Sequence, residues 1–169
     1  WLDAELDDLE KALAACKKYG ILAVIDLHSP PGGRMPNRDL VMIHEPKYRT
    51  AFIACWQKIA RRFKGHPAVW GFDLVNEPVQ KRWPRAGEPD YLEIQVLAAK
   101  AIRAIDPKTP IIIEVDHWDS AEGFKYIDPV DIPRVIYQVH MYWPGQFTHQ
   151  GVHGSKVGVD YPGKIGYAQ

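Results

Sequence analysis

The residues best suited to chemistry lie where predicted strands end. Glu77 follows an apolar stretch in W-G-F-D-L-V-N-E-P (70–78). Because Pro78 cannot donate to a strand ladder, we expect the strand to end there with its last side chains facing open space. A carboxyl group in that apolar setting is poorly solvated, which favours the protonated form that a general acid needs. Asn76 can donate and accept hydrogen bonds, which suits a substrate hydroxyl. A surface glutamate and a turn-forming asparagine are the structural alternatives.

Polar and aromatic side chains also follow the other predicted strands. His28 precedes a Ser-Pro-Pro-Gly-Gly segment, which predicts a sharp turn that lets a ligand approach the backbone. His140 and Tyr142 are two residues apart, so extended backbone would direct them to one side. Trp118 and Trp143 lie in loops of the same kind and can offer flat ring faces to a ligand. Structural roles remain the alternative for each of these residues.

Metal binding is a competing interpretation for His140, His149 and His153. Neither a clear helix nor a set of Cys or Glu ligands accompanies these histidines, so the pattern does not favour a metal site. No glycine-rich phosphate loop follows a predicted strand, which argues against a nucleotide-binding sheet. We therefore expect no metal and no cofactor. Asp26 and Asp73 lie inside apolar runs, which favours satisfied acids in the interior of a barrel over catalytic groups.

The composition argues against several classes of partner. The 169 residues contain 21 Lys and Arg against 21 Asp and Glu, so the formal net charge is zero. This balance gives no electrostatic basis for nucleic acid or an anionic membrane as the main partner. No apolar run approaches the ~20 residues that span a bilayer, which predicts a soluble protein. The chain begins at Trp1 without a signal-like segment, so we expect processing or truncation to have removed its beginning. Cys16 and Cys55 fall on apolar helix faces, which favours buried thiols over a disulfide.

Predicted helices and strands alternate along the chain. Apolar residues at spacings of three and four predict helices over about 3–18, 48–64, 90–104 and, more briefly, 119–126. Apolar runs predict strands over 21–28, 68–75, 110–115 and 134–140. This alternation predicts parallel βα units. The connections that leave the strands are long and those that enter them are short, as in a βα barrel whose active site lies in the loops after the strands.

Three motifs resemble those of glycoside hydrolase family 5, the cellulase family. They are W-G-F-D-L-V-N-E-P at 70–78, D-L-H-S-P-P-G-G at 26–33 and V-H-M-Y-W-P at 139–144. Each lies at the end of a predicted strand and they follow the family's order. The resemblance covers about residues 5–145 and implies an α/β fold, a (β/α)8 TIM barrel. Residues 1–169 would then be a partial catalytic domain with about four βα units, roughly strands three to six.

The resemblance also implies retaining hydrolysis of β-glycosidic bonds in a plant-type polysaccharide, as in an endo-β-1,4-glucanase. Glu77 would be the acid/base, and Asn76 would bind the hydroxyl next to the anomeric carbon. The remaining site residues would be His140 and Tyr142 in the catalytic group and His28, Trp118 and Trp143 in substrate binding. The substrate would be a polysaccharide or oligosaccharide, and the enzyme would be secreted.

The second carboxylate of such a mechanism is not evident in residues 1–169. A retaining mechanism needs two carboxyl groups about 5–5.5 Å apart, and the resemblance places the nucleophilic glutamate at the end of strand seven. We interpret Glu114 as lying inside its strand and Glu45 as part of a variable loop, so neither is a convincing second carboxylate. Since such barrels typically need ~250 residues, we expect sequence outside 1–169 to complete the barrel. A non-catalytic carbohydrate-binding fragment and a pair of half-barrels are the alternatives.

Overall fold

In the computed structural model, which describes residues 2–160, 162 and 163, four parallel strands form one sheet in the order β1-β2-β3-β4. The strands are β1 (Ala23–Asp26), β2 (Val69–Asp73), β3 (Ile111–Ile113) and β4 (Val135–Tyr137). The helices are α1 (Leu2–Lys18), α2 (Val41–His44), α3 (Pro46–Phe63), α4 (Tyr91–Arg103), α5 (Asp116–Asp119) and α6 (Gly145–Thr148). Two short 3-10 helices are Ala121–Tyr126 and Val152–Gly154. The chain divides into two compact units, residues 1–139 and 140–169.

The long helices begin and end where local chemistry favours it. Helix α1 has acidic residues in its first turn and lysines in its last, which complements the helix dipole. Gly20 follows it with a φ of 69°, a conformation that glycine adopts without strain. Helix α4 begins with a capping box, in which the Asp90 carboxylate accepts from the Glu93 amide and the Glu93 carboxylate accepts from the Asp90 amide. The three long predicted helices are therefore confirmed to within about two residues at each end.

One face of the sheet, the helix face, packs against α1, α3 and α4. Its residues include Ile25, Phe72, Ile111 and Ile113, all buried in one core with apolar residues of these helices. The Trp56 ring of α3 lies 5.8 Å from the Phe72 ring, and its indole N–H donates to the Leu74 carbonyl at 2.9 Å. Burial of these side chains is the main stabilising contribution to the unit.

The opposite face, which we call the acid face, has a row of polar side chains at its carboxyl edge. The register pairs Asp26 with Asp73 and, one strand on, Asp73 with Ile112. Because side chains alternate along a strand, Glu114 and Gln138 continue this row from the ends of β3 and β4. The acid face therefore consists of Asp26, Asp73, Glu114 and Gln138.

The strands are shorter than the sequence predicts, and this corrects one expectation about Glu114. Strand β3 ends at Ile113, so Glu114 is the first residue after the strand and does not lie inside it. The side chain of Gln95, from α4, replaces a strand partner there. Its Oε1 accepts from the Glu114 amide at 3.2 Å and its Nε2 donates to the Glu114 carbonyl at 2.9 Å. The interpretation of Glu114 as an interior strand residue was wrong because a side-chain amide ends the ladder.

The cysteines agree with the sequence-based prediction. Cys16 is half-buried, Cys55 is buried, and both are free thiols. Burial raises the pKa of the Cys55 thiol, which keeps it protonated and unreactive. Among residues 2–160, 162 and 163, no helix combines the length and the apolar character that crossing a membrane requires.

The second unit is built mainly from loops around α6. The Gln150 side chain links two of its segments, since Nε2 donates to the Val159 carbonyl at 2.8 Å and Oε1 accepts from the Val159 amide at 2.7 Å. The Thr148 hydroxyl donates to the Tyr142 carbonyl at 2.5 Å. These bonds order the loop that begins with His140.

Candidate active site

Glu77 has an uncommon backbone conformation at the end of β2. Its φ is 49°, in the left-handed region that few residues other than glycine adopt. Both of its backbone polar groups have partners from other loops. The amide donates to Glu114 Oε2 at 2.6 Å, and the carbonyl accepts from Arg34 Nη2 at 2.8 Å. A strained backbone at one residue therefore has a hydrogen bond on each side that holds it in place.

Arg34 connects three parts of the candidate site. It lies in the loop after β1, and its Nη2 also donates to the Asn76 carbonyl at 2.9 Å. Its guanidinium lies over the Trp118 ring, with Cζ 5.0 Å from the ring centroid. Partial burial lowers the pKa of Arg34, while the charges of Glu77 and Glu114 oppose that shift. The guanidinium therefore remains a cation between the candidate acid and an aromatic platform.

Glu114 is in direct contact with the backbone of Glu77 and is completely buried. One carboxylate oxygen accepts from the Glu77 amide, and the other accepts from Gln138 Nε2 at 2.7 Å. The same nitrogen of Gln138 donates to Asp73 Oδ2 at 2.6 Å. Gln138 thus bridges two buried carboxyl groups of the acid face.

The charge state of Asp73 follows from its buried surroundings. Burial, followed by the nearby charges of Glu114 and Asp26, raises the pKa of Asp73 to about 8. Its Oδ1 is buried and has no hydrogen-bond partner among the residues that the structure describes. Asp73 is therefore protonated at neutral pH, and the charge of Glu114 is one of the causes. The prediction that Asp73 is an interior acid is confirmed, although only one of its oxygens has a partner.

Trp118 is positioned by a left-handed turn after β3. His117, Trp118 and Asp119 have φ values of 61°, 63° and 55°. The Trp118 amide donates to the Pro78 carbonyl at 3.3 Å. Asp116 Oδ1 accepts from the His117 amide at 2.7 Å and from the Gln80 amide at 2.9 Å. These bonds join the loop after β3 to the loop that contains Glu77, and they leave the Trp118 side chain partly exposed.

His28 lies two residues beyond the end of β1 and is exposed. Its Nδ1 is hydrogen-bonded to Asp26 Oδ2 at 2.9 Å. The structure therefore joins His28 to the acid face through Asp26. This placement is compatible with substrate binding, and the role itself stays a prediction.

His140, Tyr142 and Trp143 belong to the second unit. The ring centroids of His140 and Tyr142 lie 6.3 Å apart, and the two rings are nearly perpendicular. The centroid of the His149 ring lies 5.2 Å from that of Tyr142. The side chains of His140 and Tyr142 thus contact each other, as their spacing suggests. Their roles beside Glu77 and the role of Trp143 stay predictions.

Three residues hold the site together: Arg34, Glu114 and Gln138. The sequence analysis did not single out Arg34 or Gln138, and it considered Glu114 only as a second carboxylate. Glu114 is the only charged residue in the run P-I-I-I-E-V, and Gln138 interrupts R-V-I-Y-Q-V-H. A polar residue that interrupts an apolar strand run at the carboxyl end is a usable signal for an inward-facing side chain. Nothing in the sequence around Arg34 indicates its two carbonyl partners.

Trp83 lies in the loop between β2 and α4. Its side chain is 83% exposed, although an anchoring ring would be buried. It lines a cavity of about 480 Å³ together with residues such as Ile43 and Arg82, and a second cavity of about 510 Å³ with Tyr91 and Tyr126.

The fold and the site define a class of protein. Parallel βα units with polar and aromatic groups in the loops after the strands are typical of a βα barrel. The chain belongs to glycosyl hydrolase family 5, since the family's cellulase model matches residues 1–161. The resemblance identified from three short motifs is therefore confirmed.

Individual relatives that match this chain include an endoglucanase and a cellodextrinase. Endoglucanase C of Acetivibrio thermocellus is 28% identical over 166 residues, which cover 96% of this chain and 46% of the relative. Cellodextrinase A of Ruminococcus flavefaciens is 30% identical over 145 residues, which cover 85% of this chain and 42% of the relative. The chain thus spans about half the length of the curated relatives it matches.

Solved structures confirm the fold class. Thermotoga maritima Cel5A in complex with cellobiose superposes with a TM-score of 0.71 at 28% identity, over 90% of this chain and 47% of that chain. A solved endoglucanase superposes with a TM-score of 0.75 at 24% identity and supports the fold alone. The predicted (β/α)8 barrel is confirmed as the fold class, and the described residues contribute four parallel strands to it.

Proposed function

We propose that the protein is a retaining glycoside hydrolase that cleaves β-glycosidic bonds of a plant-type polysaccharide, as an endo-β-1,4-glucanase. The observation that carries this proposal is the placement of Glu77 after β2, where Glu114 and Arg34 hold its backbone on both sides. Endoglucanases among the relatives and a cellobiose complex among the structural neighbours support a β-glucan substrate. A secreted location, inferred from the family resemblance, is part of the same proposal.

Glu77 would act as the acid and then as the base. In the first step its carboxyl group protonates the oxygen of the leaving sugar, and in the second step its carboxylate takes a proton from the attacking water. Asn76, adjacent in sequence, would bind the hydroxyl next to the anomeric carbon. Trp118 would offer its ring to a sugar face, and His28 would bind from the neighbouring strand end.

The second unit would supply further contacts to substrate. We assign His140 and Tyr142 to the subsite where the bond is cut and Trp143 to substrate binding, which is what the family resemblance implies for them. The contact between the His140 and Tyr142 rings supports treating them as one group. No metal or cofactor is part of the proposed reaction.

The nucleophile would come from sequence outside residues 1–169. Glu114 cannot readily attack a sugar, because it is completely buried and its two oxygens accept from Glu77 and Gln138. We therefore propose that residues 1–169 are part of a catalytic domain, which agrees with their coverage of about half of each relative. The rest of that barrel would be the main partner of this chain besides the saccharide.

The test is release of reducing sugar from carboxymethyl cellulose, mannan and xylan by the full-length protein. Glu77→Gln should lower turnover by about 10²–10⁴-fold, the usual contribution of general acid–base catalysis, with little loss of substrate binding. Glu122→Gln is the matched control, because Glu122 is an exposed glutamate of the loop after β3. An unchanged rate in Glu77→Gln would refute the assignment. Saccharide binding without hydrolysis by the unaltered protein would favour the non-catalytic alternative.

A further inference from the structure

We propose that Glu114 is a positioning residue for Glu77: its buried carboxylate holds the Glu77 amide and thereby fixes the direction of the acid/base side chain. This inference rests on the proposed function of Glu77 as the acid/base. It assigns a role to a third carboxyl group, in addition to the acid/base and the nucleophile. Glu114 itself would not touch the substrate.

The first step of the argument concerns the backbone of Glu77. A φ of 49° at a residue with a side chain is unfavourable, and such a conformation persists only where the surroundings enforce it. The Glu77 amide has a charged acceptor in Glu114, and charge-assisted hydrogen bonds are about twice as strong as neutral ones. Arg34 supplies the matching contact on the Glu77 carbonyl. Because the direction of a side chain follows from the backbone dihedrals, these two bonds determine where the Glu77 carboxyl group can reach.

The second step concerns what fixes Glu114. Its backbone is paired with the Gln95 amide group on both sides, and its side chain accepts from Gln138. Hydrogen bonds thus fix both the backbone and the carboxylate of Glu114. A buried carboxylate fixed in this way restricts the position of the Glu77 amide that donates to it.

The third step concerns the charge of Glu114. Asp73 would compete for the same bridging nitrogen of Gln138 as a second anion if it were ionised. The raised pKa of Asp73, about 8, keeps it neutral at neutral pH, so that Asp73 does not add a second negative charge beside Glu114. The charge of Glu114 acts on Arg34 as well, where it opposes the lowering of the Arg34 pKa by burial.

The role can be measured because general-acid catalysis depends on the leaving group. A dinitrophenyl β-cellobioside releases a stable anion and needs no proton, whereas a phenyl β-cellobioside needs one. A misplaced Glu77 therefore slows hydrolysis of the phenyl β-cellobioside selectively. Nonspecific structural damage slows both substrates by the same factor.

The experiment compares kcat/KM of the full-length protein and its variants on these two substrates. Glu114→Gln should lower kcat/KM for the phenyl substrate by about 10–100-fold, since a misplacement of 1 Å can cost that much, and for the dinitrophenyl substrate by less than about threefold. Glu114→Asp keeps the charge and shortens the side chain by one methylene, so it should give the same selective loss if Glu114→Gln does not fold. Asp106→Asn is the matched control, because Asp106 is also a buried acid but lies at the opposite end of β3.

Glu77→Gln in the same assay separates the two proposals. If Glu77→Gln shows no selective loss on the phenyl substrate, the proposed function fails. If Glu77→Gln shows it and the Glu114 variants slow both substrates equally or neither, the positioning role alone is overturned. Equal and selective losses in Asp106→Asn and Glu114→Gln would also overturn it.

Discussion

The helix face and the acid face belong to the same four strands but differ in almost every physical respect. On the helix face, Phe72 and its neighbours are apolar, buried and in contact with rings such as Trp56. On the acid face, Asp73 and Glu114 are as deeply buried, yet they hold ionisable groups close together and share a single bridging amide. Burial of apolar area is favourable, and burial of carboxyl groups is costly unless they are paired or neutralised.

The difference in what the two faces bury indicates which of them stabilises the fold and which of them lowers its stability. One face supplies apolar burial, and the other carries unfavourable charge burial and left-handed backbone beside the candidate acid. Sites with these properties are typical of functional positions in otherwise well-packed proteins. The two faces should therefore contribute to the free energy of unfolding in opposite ways, and substitutions on each face can test this separately.

The largest expected loss of stability is on the helix face. Phe72→Ala should lower the free energy of unfolding by about 3–5 kcal/mol, the usual loss for a buried aromatic side chain, because Phe72 is fully buried against Trp56. Urea unfolding followed by tryptophan fluorescence measures it. Tyr126→Ala, which removes an exposed ring, is the control and should change stability little. A loss below about 1 kcal/mol for Phe72→Ala would show that the helix face is not the main source of stability.

The acid face should make stability depend on pH. The pKa of Asp73 is about 8 in the folded protein against 3.8 for an unperturbed carboxyl group. Between these pH values the folded state binds a proton that the unfolded state has released, so this group's stabilising contribution falls as pH rises from about 4 to about 8. Its contribution is fully present below this window and is lost above it.

Asp73→Asn removes this titration and should gain stability relative to the unaltered protein as pH rises through the same window. The gain should be at most about 1.4 kcal/mol per pH unit. Urea unfolding at several pH values between 4 and 8 measures it, with Asp106→Asn as the control, since burial is opposed at Asp106 by hydrogen bonds from Lys108 and Thr109 that lower its pKa. Parallel pH profiles for the Asp73 variant and the unaltered protein would contradict a protonated Asp73.

The contrast between the two faces also explains what the sequence could predict. Apolar periodicity located three long helices and four strands, and the order of motifs identified the family, because both signals are local. Glu77 could be placed at a strand end since Pro78 follows it. The helix face is therefore almost fully predictable from hydrophobic pattern.

The acid face was less predictable, because its contacts join distant residues. Glu77 bonds to Arg34 and Glu114 across sequence separations of 43 and 37 residues. The strand containing Glu114 was predicted too long, since nothing in the run P-I-I-I-E-V shows that Gln95 ends the ladder. The left-handed turn at 117–119 has no glycine to signal it.

The smallest expected effects concern the loop after β1, which brings Arg34 from the first strand to the Glu77 carbonyl. Gly32 and Gly33 have φ values of 85° and 64°, so any side chain there is strained. They differ in surroundings, because a Cβ at Gly32 would lie 2.8 Å from the Tyr48 ring, whereas a Cβ at Gly33 meets no atom within 4 Å. Gly33→Ala should therefore cost about 1 kcal/mol from the backbone alone.

Gly32→Ala should cost about 2–3 kcal/mol, because the backbone strain and the displacement of the Tyr48 ring add. Urea unfolding of the two variants side by side measures the difference, since a Cβ at Gly32 meets Tyr48 and Val41 whereas a Cβ at Gly33 meets open space. If the turn is needed to present Arg34, Gly32→Ala should also reproduce part of the selective loss on the phenyl substrate that Glu114→Gln shows. Equal costs for the two variants would mean that Tyr48 moves freely, and the loop would then not be a fixed support for Arg34.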